Sequence, residues 1–302
     1  MKRISIKATM SLVVILLLTA ACTDELNDHP ADTGRPIAFT PVAETRAAVE
    51  GSALPSGSSF SVWGWYGTGN EINKNVFDGN TVTESGGTWG DTGGTQYWIP
   101  GMTYNFYGVY PASVTASVTN DGTITITNFD CSATGTNAVD LMTATVTGLS
   151  GDDAPTVAME FQHQLSKVNI VATVEGGNCT VTSATFSGMV TKGSYSSSAG
   201  WTGTTTGSFT NSEPKVLDTT GIDLLDDLLL IPQTVTDQFK ITVSYTLDGV
   251  QMSKEITLPN SISQWDAGQS YKYTLTFKGN NIIFTVNVAS WNHSTGGIIT
   301  VE

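Results

Sequence analysis

The stretch FKITVSYTLDGVQMSKEITL, Phe239–Leu258, decides the fold class. Phe239, Ile241, Val243, Tyr245 and Leu247 alternate with Lys240, Thr242, Ser244, Thr246 and Asp248, the period of a strand with one dry and one wet face. Asp248-Gly249 then makes a hairpin turn, and Val250, Met252, Ile256 and Leu258 carry the return strand.

The same pattern recurs in both directions along the chain. Tyr271, Tyr273, Leu275 and Phe277 line one strand face, Ile282, Phe284, Val286 and Val288 the next, with Gly279-Asn280 between them. In the first half, Val114, Ala116 and Val118 lead into Asn120-Asp121-Gly122, followed by Ile124 and Ile126. Helical periodicity is confined to GIDLLDDLLLIPQ, Gly221–Gln233, whose first half could make two turns before LLLIP ends as a strand. The Thr/Gly/Ser-rich patch Lys192–Pro214 reads as a loop with a ragged hairpin. The expectation is an all-β protein of two sandwiches in tandem, built from antiparallel hairpins and dividing near Leu165.

Composition agrees. Charged residues are only 13% of the chain, while Gly, Thr and Ser are abundant, as in sheets with threonine on their wet faces. The net charge is −14. Lys2, Arg3 and Lys7 form a basic start, followed by the apolar run Ala8–Ala21 and then Cys22, the layout of a lipoprotein signal peptide over residues 1–21. Removing it leaves 10 basic residues against 27 acidic, a net of −17, which argues against nucleic acid and against anionic lipid headgroups. The following TDELNDHPADTG reads as a solvated tether. Cys131 and Cys179 form a disulfide or stay as two buried thiols; the spacing does not decide.

Chemistry-bearing motifs are missing. The chain has three histidines, and no HExxH, CxxC, GxSxG or P-loop. Gly67–Ile72 begins like a dinucleotide fingerprint but lacks the third glycine and the βαβ setting. Asp152-Asp153 and Asp226-Asp227 read as solvated turn residues rather than a calcium site, and His163, on an alternating strand, as a structural residue. The expectation is no catalytic residue, no metal and no cofactor. Aromatic residues cluster in Phe60–Tyr66 and Trp89–Tyr110, either to stack sugar rings or to fill the first sandwich; shared strand faces, Trp63 with Trp65 and Tyr104 with Phe106 and Tyr110, favour the core.

The pieces PIAFTPVAETRA, FSVWGWY, YWIPGMTYNFYGVYP, DLMTATVTG, MEFQHQLSKVNIVATV, LLLIPQ and IIFTVNVASWNHSTGGIITVE occur in this order along the chain. Together with the lipobox at Cys22, they resemble the fimbrillin-like (Mfa-like) lipoproteins of Bacteroides and related bacteria, which include subunits of type V pili. DLM followed by FxHxLSKV is the most specific piece. The resemblance implies two transthyretin-like β-sandwich domains, over residues 47–163 and 164–302, behind a tether and removable first strand over 22–46. It implies an outer-membrane lipoprotein at the cell surface, acylated on Cys22, whose partners are other fimbrial subunits and a host or bacterial surface ligand.

In pilus subunits of this kind an arginine-specific protease cuts after an arginine placed like Arg46, ahead of Ala47. The first strand leaves, and a neighbour's strand fills the groove. Ile37 and Phe39 then belong to the removable strand, and Arg35-Pro36 is a poor alternative cut because proline follows. The physics is general: a sheet missing one strand exposes unpaired backbone and an apolar cleft. GGIITVE at the C-terminus supplies Ile298, Ile299 and Val301 as a candidate donor strand; the other reading closes it onto Ile282–Ala289 within its own domain. A non-polymerising surface lipoprotein acting as tip, anchor or glycan-binding module is the alternative function.

Overall fold

A computed structural model describes residues 34–43, 54–258, 261–291 and 297–300, the backbone alone for Ala43 and for 297–300. The strands are β1 (Phe39–Ala43), β2 (Ser59–Thr68), β3 (Glu71–Ser85), β4 (Thr88–Asp91), β5 (Thr103–Tyr110), β6 (Ala116–Val118) and β7 (Ile124–Asp130). Next come β8 (Met142–Ser150), β9 (Val157–His163), β10 (Ser166–Val174), β11 (Cys179–Ser196), β12 (Gly200–Asn211), β13 (Lys215–Val216) and β14 (Ile222–Leu230). The last are β15 (Gln233–Thr234), β16 (Lys240–Leu247), β17 (Val250–Thr257), β18 (Gln264–Trp265), β19 (Gln269–Lys278), β20 (Asn281–Ser290) and β21 (Gly297–Thr300). Among the described residues a single 3-10 turn, Gly135–Asn137, interrupts them, so the all-β class holds.

The strands form three main sheets. The first runs β1-β9-β8-β5-β2-β3-β4, the second β14-β10-β19-β20-β21, and the third β17-β16-β11-β7-β6, with β12 and β13 also on β11. β15 and β18 make a two-stranded ribbon. The Asp248-Gly249 turn forms as read: both residues take positive φ, 49° and 85°, and Leu247 pairs with Val250. Most pairs are antiparallel, but β1 with β9 and β10 with β19 are parallel. Side-chain alternation carries no strand direction, so the sequence pattern could not distinguish these pairs.

The hairpin β6–β7 crosses the boundary expected between residues 163 and 164. β7 pairs with the second half of β11, Gly193 opposite Phe129 and Tyr195 opposite Ile126, while the first half of β11 carries β16. Two apolar clusters result. The smaller gathers Ile37, Phe39, Phe60, Val62, Phe77, Tyr104, Phe106, Met159 and Phe161 inside the first sheet. The larger holds Ile124 and Ile126 together with β10, β11, β16 and β19.

Three sequence expectations change. Trp63 and Trp65 do not join the first core; with Tyr107 and Val109 they face the larger cluster, while Phe60, Val62, Tyr104 and Phe106 face the smaller. β2 and β5 are central strands covered on both faces, so aromatics appear at odd and even positions alike. Gly221–Gln233 contains no helix: β14 runs through it, and register breaks against β10, with Asp227 at φ 47°, produce the doubled Leu224-Leu225 that mimicked a helical period. The Thr/Gly/Ser patch is mostly strand, since β12 pairs along β11 from Ser196 back to Ala184 with three register shifts. Threonine suits an exposed strand even without an apolar face.

The most family-specific residues are a structural junction. Asp140, from DLM, accepts a hydrogen bond on Oδ1 from His163 Nδ1 at 2.9 Å, both side chains buried. The His163 ring lies flat on Trp291, centroids 4.0 Å apart and 7° from parallel. Three sequence pieces far apart in the chain therefore meet where the first sheet ends and the second begins. Cys131 and Cys179 are both free thiols in the larger cluster, and burial pushes each up to about 11.

Candidate functional site

The site is the seat of the first strand. From Arg35 the chain runs beside residues 96–98: Trp98 N donates to Arg35 O at 3.0 Å, and Ile37 N donates to Gln96 O at 2.8 Å. It then changes neighbour. Val157 N donates to Ala38 O at 2.8 Å, and Phe39–Ala43 pairs in parallel with Val157–Phe161. Ile37, Phe39 and Pro41 are buried and Ala38 and Thr40 exposed, so one face of the segment plugs the sheet and the other is wet. Pro41 has no N–H to give a ladder, a residue that an edge strand tolerates and a central one does not.

Phe39 supplies most of the plug. Its ring stands edge-on to Phe60, Phe77 and Phe106, at centroid distances of 6.0, 5.4 and 5.7 Å. Trp89, on the strand at the opposite end of the sheet order, packs on the same Phe60 ring at 5.5 Å. The sheet thus curls until its two ends meet over one aromatic floor. Without residues 35–43 that floor and the edge of β9 would face water. Exposing one aromatic of this size costs about 1.5–3 kcal/mol.

Arg35 anchors the head of the segment. Its guanidinium donates to the carbonyl oxygens of Asp153 at 3.0 Å, of Gly151 at 3.3 Å, and of Asp152. Sequence reading treated Arg35 only as a poor cleavage site and missed this role. The available signal was arginine distribution: the chain has Arg3, Arg35 and Arg46, and none from Ala47 to Glu302.

Ile37 and Phe39 both lie in the smaller apolar cluster. Cys22, Arg46, Ala47 and Val301 lie outside the described residues. Ile298 and Ile299 lie in β21, opposite Asn287 and Val286 of β20. Trp63, Trp65 and Trp98 are all buried, so none offers a ring face to a sugar. Asp152 caps the Gly101 N–H at 2.9 Å. Asp226 and Asp227 line a cavity of about 600 Å³ with Tyr110, Asp140, Lys167 and Leu229. Lys167 is ion-paired with Asp227, and burial, then the carboxylates of Asp227 and Asp223, push Asp226 upward. Among the described residues no three His, Cys, Asp or Glu side chains are grouped to hold a metal.

No curated protein matches the chain. Among solved structures it is similar to a fimbrial protein from Bacteroides vulgatus, at 18% identity and TM-score 0.58, covering 85% of this chain and 99% of that one. It is also similar to candidate cell adhesion proteins from Bacteroides uniformis (21% identity, TM-score 0.56, 85% and 99% covered) and Bacteroides ovatus (15%, 0.58, 85% and 98%). At these identities the likeness is one of fold. The sequence pattern of fimbrillin-like proteins, however, matches residues 45–291. The chain belongs to the fimbrillin-like family.

Proposed function

We propose that the protein is a structural and adhesive subunit of a cell-surface fimbria, exported as a lipoprotein on Cys22 and assembled by strand exchange. A cut after Arg46 separates residues 22–46 from a body whose first sheet then lacks its edge strand. A strand from another subunit takes the vacant place. The observation that carries the reading is the seating of Ile37 and Phe39: an edge segment fills an aromatic groove, and Arg46 stands between it and the rest of the chain in the sequence.

Two further features support it. The plug pairs in parallel with β9, whereas the other pairs of that sheet are antiparallel; an incoming antiparallel strand would form the slightly more stable ladder. The exported chain offers an arginine-specific protease only Arg35 and Arg46. Arg35 is bound through its guanidinium and followed by proline, leaving Arg46. A second reading, an accessory subunit that accepts a strand without giving one, is favoured by the pairing of β21 with β20 in its own sheet.

The test is to purify Ala47–Glu302 and compare it with the uncut chain. Heat- and detergent-resistant oligomers are expected, and a large excess of a peptide of residues 35–43 present from the start should slow their formation. A monomer whose first sheet is fully protected in hydrogen exchange sinks the reading. Oligomers that form only when a different subunit is added select the accessory role.

A further inference from the structure

The turn after β8 is built to receive a guanidinium. Gly151, Asp152 and Asp153 present three successive carbonyls outside any strand ladder, and all three converge on Arg35. The contacts are exposed or half-buried, and an arginine fork carries five donors in fixed geometry, enough to span all three acceptors.

The turn is also braced from behind. Gly151 N donates to Met102 O at 2.8 Å, the Asp152 carboxylate accepts from Gly101 N, and Ala154 N closes onto Ser150 O at 3.2 Å. A side chain at Gly151 would put Cβ 2.1 Å from the Ile99 carbonyl oxygen, so the turn and the 99–102 loop touch backbone to backbone. The adjacent Trp98 and Gln96 are the residues that pair with Arg35 and Ile37. One rigid unit thus holds both the side chain and the main chain at the head of the first strand.

We propose that the carbonyl cradle Gly151–Asp153 is an arginine-binding site that acts as a latch, and that Arg35 sets how long the first strand stays seated. The inference rests on the strand-exchange reading for its purpose, but the latch is measurable without it. In the uncut chain, hydrogen exchange at the Ile37 amide reports opening of the head of the segment. Three charge-assisted bonds at an exposed site predict about tenfold faster exchange in Arg35→Ala, with Arg35→Lys in between because an ammonium cannot span the three carbonyls. Amides of β16 and β17 serve as the folding control and should not change.

A second measurement uses a chain whose residues 44–50 are replaced by a site for an unrelated specific protease. After cutting, the departing segment is followed by native mass spectrometry. Arg35→Ala should release it about tenfold faster than the parent. Equal exchange at Ile37 and equal release overturn the latch. Faster exchange at Ile37 with no release from either cut chain upholds the latch and overturns strand exchange instead.

Discussion

The ring of Phe39, in the edge strand, meets that of Phe106, at the centre of the same sheet, edge to face at 5.7 Å. Two residues 67 positions apart are thereby joined across the groove.

Truncating that ring should be felt in the first sheet. Phe39→Ala leaves a void between Phe60, Phe77 and Phe106 and should cost about 3–4 kcal/mol, moderated by how far the edge strand collapses inward. Denaturant unfolding gives the cost, and hydrogen exchange should show protection lost in β1 and β9 first. On the strand-exchange reading the variant also forms oligomers without being cut.

Gly151→Ala tests backbone packing behind the latch. Its Cβ would overlap the Ile99 carbonyl, and neither main chain can yield cheaply, so a loss of about 1–3 kcal/mol is expected. Gly101→Ala is the comparison. Gly101 has φ 75° with open space around it, so only the left-handed backbone is penalised, by about 1–2 kcal/mol. Only the first variant should speed exchange at Ile37.

The Asp140–His163 pair should behave as a buried polar joint. Asp140→Asn keeps an acceptor for His163 Nδ1 and should cost little; Asp140→Ala strands the buried imidazole and should cost about 1–3 kcal/mol. Thermal unfolding of both variants separates the outcomes, and near-ultraviolet circular dichroism reports whether the Trp291 stack survives.

Asp226 predicts a pH dependence of defined sign. Its carboxyl is pushed up in the folded protein, by burial first and by Asp227 and Asp223 next, so the native state holds the proton more tightly than the unfolded chain. That contribution is present at low pH and is lost as pH rises from about 4 through the raised value. Asp226→Asn removes the penalty while keeping an acceptor for Asn169, and should stabilise by less than about 1 kcal/mol at pH 7, given partial exposure. At pH 3 the two proteins should unfold together in urea; a variant less stable at pH 7 would refute the argument.

The strand content could be read from one dimension of the chain because alternation is local. Each hairpin, such as Lys240–Thr257, states its own period and turn, and Ile37 and Phe39 declared a dry face before any partner was known. Where alternation failed, a three-dimensional cause intervened. β2 and β5 are covered on both faces, and β14 is bulged, so their periods read as something else.

By itself the sequence determined the all-β class, the hairpin turns and the apolar face of the first strand, since backbone sterics and side-chain alternation act over a few residues. Tertiary structure alone decided that this strand lies parallel to β9, that β7 joins the sheet of β11 and β16, and that Arg35 reaches Gly151–Asp153. Those pairings connect residues separated by scores of positions. Their energies depend on which surfaces the folded chain leaves exposed, a quantity that no local window contains.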